Sequence, residues 1–236
     1  MLPAAAGGCA SQSALADSTA AEDALTTLAD QQRAELTSYA ALLRVKMLHE
    51  GRIEDFRAEI FADGDSLLSV YVRGFLGRSA FKALLRSDSL LVYFPSERKY
   101  YSGRRHDIET GELRDTRYII DYLLTLLRGY VPLPDRDQWL NHVTTKKQMM
   151  HLTTDDRGGR CGLHIDLSTD RTGFPFQRLK SLELRSTNDR LRINMQAQSS
   201  HYNRQIPAEK YLIDLPATAV RLSEDELVEM LTGTSP

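Results

Sequence analysis

Residues Leu42 to Leu84 read LLRVKMLHEGRIEDFRAEIFADGDSLLSVYVRGFLGRSAFKAL. Leu43, Val45 and Met47 alternate with Arg44 and Lys46, the period of a strand with one face buried and the other wet. Glu50-Gly51-Arg52 turns the chain, and Phe56, Ala58 and Ile60 then share a face against Arg57 and Glu59. Asp63-Gly64-Asp65 is a hairpin signal, because these residues accept the left-handed backbone of tight turns. Leu68, Val70 and Val72 repeat the alternation, and Phe81, Ala83 and Leu85 open the next strand. Short alternating strands with tight connections predict an antiparallel meander.

The same pattern runs on downstream. Ser87-Asp88-Ser89 turns into Leu90 to Phe94, and Pro95 to Arg98 turns into Lys99-Tyr100-Tyr101. Ser102 to Thr116 reads as a charged loop, with Asp115 placed to cap a helix. Ile119, Ile120, Leu123, Leu124 and Leu127 give that helix a wide apolar stripe, and Gly129 and Pro132 stop it. A helix this apolar packs against something large. Pro132 to His142 reads as a connector carrying the single tryptophan, Trp139.

Strand patterns resume at Lys147 to Thr153, Gly162 to Ser168, Gln177 to Ser186, Leu191 to Ala197 and Tyr211 to Leu215. Turns fall at Asp155 to Gly159 and at Thr187-Asn188-Asp189. Ser223-Glu224-Asp225-Glu226 is a capping box that opens a C-terminal helix. At the other end, Leu25 to Ala41 begins as a short helix, with Leu25, Leu28, Leu36 and Tyr39 at helical spacing. A doubly wound parallel sheet is excluded, since it needs strands alternating with helices. The expected fold is mainly β with α: one antiparallel, strongly curved, unclosed sheet of about ten or eleven strands. The central helix fills its concave face, and a helix stands at each end.

Composition narrows the function classes. With 236 residues, 42% of them hydrophobic and 26% charged, the chain has ample material for a core. A net charge of −2 gives no bulk argument for nucleic acid, and basic residues are spread rather than clustered. No segment reaches the roughly 18–20 apolar residues of a membrane-spanning helix. Among the histidines, His49, His151 and His164 lie in strand-like segments, and no pair has helical ligand spacing. No nucleophile elbow, phosphate loop or dinucleotide fingerprint occurs. Glu54-Asp55 is a neighbouring pair in a strand, whose side chains point to opposite faces. Cys9 and Cys161 lie in a low-complexity leader and a strand-like segment, without the spacing of a disulfide framework. No catalytic residues, metal or cofactor are expected. Arg104-Arg105-His106 is a small basic cluster that either is a solvated loop or meets a phosphate or lipid headgroup. Phe75-Leu76 stands between two glycines at a strand connection, so it either folds back into the core or faces a partner.

Residues 1–24 are rich in small residues and lack aromatics, the composition of a disordered leader; residues 25–236 are read as one domain. Ala6-Gly7-Gly8-Cys9 resembles the processing site of bacterial lipoproteins, where the cysteine becomes lipidated. The basic and apolar regions of a signal peptide are missing from the eight residues before Cys9. Either the start lies further upstream or the likeness is accidental.

Leu42 to Leu84 and Leu179 to Gln198 (LKSLELRSTNDRLRINMQAQ) resemble the opening sheet and closing hairpin of the bacterial LolA/LolB lipoprotein carriers and receptors. Phe75-Leu76-Gly77 is similar to a Pro-Leu-Gly turn whose leucine protrudes in the receptor, with Phe75 in place of the proline. The resemblance implies an unclosed half-barrel enclosing an apolar cavity for lipid or lipoprotein acyl chains. It implies lipidation at Cys9, a flexible tether, and Phe75 and Leu76 contacting the inner leaflet of the outer membrane. The cavity lining is then Val45, Met47, Phe56, Ile60, Val70, Val72, Ile119, Leu123 and Leu127, and a periplasmic carrier protein is a further partner. The rival expectation is an envelope adaptor of the same fold that acts through a protein partner.

Overall fold

The computed structural model describes residues 23, 26–27, 29–31, 33–49, 52–74, 79–105, 124–130, 139–146, 149–156, 161–169, 177–186 and 191–232. Cys9, Phe75, Leu76, Ile119 and Leu123 lie outside them.

Six strands form the first meander: β1 (Ser38–His49), β2 (Arg52–Asp63), β3 (Leu67–Arg73), β4 (Ser79–Arg86), β5 (Ser89–Phe94) and β6 (Lys99–Arg104). Five form the second: β7 (Trp139–Lys146), β8 (Met149–Asp156), β9 (Cys161–Thr169), β10 (Gln177–Ser186) and β11 (Leu191–Tyr202). A further strand, β12 (Val220–Arg221), is two residues long. The meanders join edge to edge through β1 and β11, in the order β12-β6-β5-β4-β3-β2-β1-β11-β10-β9-β8-β7. Among the described residues the sheet is therefore single and unclosed, with twelve strands against the ten or eleven expected. It is also mixed. β12 runs parallel to β6, because the chain returns to that edge from the far side instead of through a hairpin.

Four local expectations need correction. Tyr39 lies in β1, not in the helix before it; helical residues end at 35. Trp139 to His142 is the start of β7 rather than a connector. Ser102 to Arg104, read as the start of the charged loop, belong to β6. Tyr211 to Leu215 is not a strand: Ala208–Tyr211 forms a 3-10 turn, and the chain then runs irregularly to β12. Here a tertiary contact overrides strand propensity. The Tyr71 hydroxyl donates to the carbonyls of Lys210 (2.8 Å) and Leu212 (3.2 Å), seating the segment across β3.

The turns follow the expected chemistry. Gly64 has φ +52° and donates its N–H to the Thr37 carbonyl. Ser87 and Arg98 take the same left-handed backbone in the β4–β5 and β5–β6 connections. The helical residues 124–127 end on a Schellman cap. Gly129, at φ +85°, donates to the Leu126 carbonyl, and Tyr130 donates to the Thr125 carbonyl. At the end of the N-terminal helical stretch, Asn203 accepts from the Thr37 N–H at 2.8 Å and donates to the Glu35 carbonyl at 3.0 Å. It thereby ties that stretch to the end of β11.

Candidate functional site

Register decides which apolar residues meet. Across the sheet, Tyr39, Ala62, Leu68 and Leu85 stand opposite one another on successive strands, as do Ala41, Ile60, Val70, Ala83 and Val92. A third row joins Leu43, Ala58, Val72 and Phe81. On the other side of β1, Val45 pairs with Met195 and Met47 with Ile193, and Met195 then pairs with Leu182 on β10. One apolar face thus runs from the first meander into β11 and β10.

That face is closed at one end and part-open at the other. Tyr39, Leu43, Ala62 and Leu68 are buried at 3% exposure or less. The helical residues 124–127 sit over this region. Leu124 and Leu127 pack against the buried cluster, Leu126 is itself buried, and Gly129 lies so close to the Tyr39 ring that a Cβ there would stand 2.6 Å from it. Tyr39 leans on Tyr202, ring centroids 5.2 Å apart. Toward the β1–β2 hairpin, Met47, Phe56, Ile193 and Met195 are only half-buried, and Glu54, opposite Met47, is exposed.

Six of the nine expected lining residues lie on this face. Val45, Ile60 and Val72 are buried, while Met47, Phe56 and Val70 are half-buried. Leu127 reaches the same cluster from the helix. Ile119 and Leu123, with the lipidation and membrane-contact positions, are outside the described residues. Leu182, Ile193 and Met195 are members that sequence reasoning left out. Their alternation was visible, but only the β1–β11 pairing sets them beside Val45 and Met47.

Beyond this part-open end, the described residues form an open groove of about 350 Å³ on the opposite face of the sheet, between β11, β1 and β2. Its walls are Arg44, Lys46, Leu48, Ile53, Arg192, Asn194 and Gln196, with Met47 at the edge. Arg44 is bonded to Asp55, which holds the guanidinium above its usual value, and Arg192 is paired with Glu183 at 2.8 Å. The rest of that face is partly covered by the C-terminal segment. Lys210 lies 4.9 Å above the Phe61 ring, and burial with the nearby Asp63 carboxylate pushes the Tyr211 hydroxyl up to about 12. The segment then rounds the β6 edge through β12. The C-terminal helix (Glu224–Thr232) packs Leu227 with Val92, Phe94 and Tyr101 on the apolar face. Its capping box is formed as expected: the Ser223 N–H donates to Glu226 at 2.8 Å, and the Glu226 N–H to Ser223 Oγ at 3.3 Å.

Among the described residues the architecture is one unclosed sheet with an apolar face partly roofed by helix. No protein-family profile and no curated protein matches the chain. Among solved structures it is similar to an uncharacterized conserved protein from Thermus thermophilus, at TM-score 0.53 and 8% identity, over 86% of this chain and 98% of that one. Fainter likenesses are to MucB, at TM-score 0.48 and 13% identity over 86% and 66%, and to a LolA superfamily protein from Nitrosomonas europaea. The latter has TM-score 0.42 and 10% identity over 81% and 97%. At such identities the likeness concerns architecture and not activity.

Proposed function

We propose that this protein is a bacterial envelope lipoprotein that holds acyl chains of lipids or lipoproteins against its apolar face, without covalent chemistry. The observation that supports the reading is the graded face: closed under Leu124 to Tyr130, part-open at Met47, Phe56, Ile193 and Met195. An acyl chain laid along the open end buries methylenes at about 0.8 kcal/mol each, and Glu54 at the rim faces water. In this reading the sheet curves as a half-barrel with the central helix as its plug. Lipidated Cys9 anchors the protein to the outer membrane, the following residues tether it, and Phe75 and Leu76 meet the inner leaflet when cargo passes.

The test is native mass spectrometry of the full chain after mild extraction, with uptake of a fluorescent fatty acid measured in parallel. Co-purified lipid and saturable uptake are expected, and I193E, placed at the open end, should abolish uptake while keeping the far-UV circular dichroism spectrum. Absence of both lipid and uptake would sink the reading and favour an adaptor whose interior is filled by its own side chains.

A further inference from the structure

On the second face of the sheet, Arg44, Arg57 and Arg73 stand directly opposite one another on β1, β2 and β3. Like charges in directly opposed positions destabilise a sheet unless something offsets them. The outer two are offset: Arg44 by Asp55 and Arg73 by Glu59, the latter at 2.9 Å. Glu59 also faces Lys210, and Glu183 is taken by Arg192. These carboxylates are therefore engaged, and among the described residues Arg57 and Lys46 make no close ion pair of their own; Asp55, directly opposite Lys46 and within electrostatic reach of both, is bonded to Arg44. The Lys46 and Arg57 side chains are exposed. Lys46 lines the open groove together with the Asn194 and Gln196 amides, Arg57 stands opposite the wall residue Arg44, and in the same wall Leu48 pairs with Ile53, which is 76% exposed.

We propose that this groove, extended by Arg57 opposite its wall residue Arg44, docks the phosphate headgroups of an anionic lipid surface, with Lys46 in the groove and Arg57 at its margin as the phosphate contacts and Ile53 as the apolar residue that enters the interface. A guanidinium beside an ammonium suits phosphate oxygens. An exposed aliphatic residue at the lip of a basic groove matches the layering of a membrane surface, charge outside and hydrocarbon within. The site is on the face opposite the acyl-binding one, so docking leaves the apolar face free, and the inference stands independently of the proposed function.

The test is co-sedimentation of the unacylated full chain with vesicles of phosphatidylcholine, with and without phosphatidylglycerol. Binding is expected only with phosphatidylglycerol and is expected to weaken steeply as salt rises. Removing two charges near such a surface should weaken partitioning roughly thirtyfold, so K46Q/R57Q loses binding while its circular dichroism spectrum is unchanged. I53S weakens binding without altering its salt dependence, and F75S/L76S retains the phosphatidylglycerol requirement. Equal binding to both vesicle types, or K46Q/R57Q binding like the parent chain, overturns the proposal. So does failure of the parent chain to bind phosphatidylglycerol at low salt.

Discussion

Replacing Gly129 by alanine probes the seat of the central helix on the sheet. The residue has φ +85°, where an L side chain costs roughly 1–2 kcal/mol. A Cβ there would stand 2.6 Å from Tyr39 Cγ, 2.7 Å from Cδ2 and 3.1 Å from Cβ. These atoms lie near the root of a side chain that is 1% exposed and braced by Tyr202, so they cannot swing aside. Overpacking of this kind adds about 1–3 kcal/mol, for a total of about 2–5 kcal/mol. Gly64→Ala is the internal control. Its φ is +52° and nothing lies within 4 Å of the added Cβ, so only the backbone cost of roughly 1–2 kcal/mol applies. Urea unfolding followed by far-UV circular dichroism compares the two. The excess cost at Gly129 should shrink in a Tyr39→Ala background, where Cγ and Cδ2 are gone. If Gly129→Ala costs no more than Gly64→Ala, the helix end does not sit against Tyr39 and the closed end of the apolar face is misassigned.

Leu43→Ala, at a side chain 1% exposed in the centre of the sheet, should cost about 2–5 kcal/mol in the same unfolding assay. Ser223→Ala removes one side of the capping box and should cost about 1 kcal/mol. The Ser223 N–H and hydroxyl hold Glu226 below the usual glutamate range. The cap's contribution is therefore present above that range and lost as pH falls through the depressed folded value, and a pH series of unfolding midpoints should lose this acid component in Glu226→Gln. Tyr211 responds at the other extreme. Its folded hydroxyl is raised to about 12, while an unfolded tyrosine titrates near about 10. The folded state thus keeps its proton longer, and stability declines as pH rises from the unfolded value through the folded one. Because that hydroxyl is buried without a hydrogen-bond partner among the described residues, Tyr211→Phe should change little at neutral pH and remove part of the alkaline loss.

Strand class, most of the strands and the hairpin positions were legible from the residues, since alternation and left-handed turn residues are local properties. Gln177–Ser186 and the Ser223–Glu226 box were legible to the residue for that reason. The sequence also determined that Val45, Ile60 and Val72 share one buried face. Tertiary structure alone decided that β1 pairs with β11, which joins two meanders about 150 residues apart and sets Ile193 and Met195 beside Met47. Local pattern carries no information about which edges meet, because an unpaired edge offers the same backbone groups everywhere. For the same reason Tyr211 to Leu215 reads as a strand, yet it is held across β3 by the Tyr71 hydroxyl, a contact 139 residues distant in sequence. The row Arg44, Arg57, Arg73 was hidden too. Each arginine is ordinary in its own strand, and only the register brings the three charges into line.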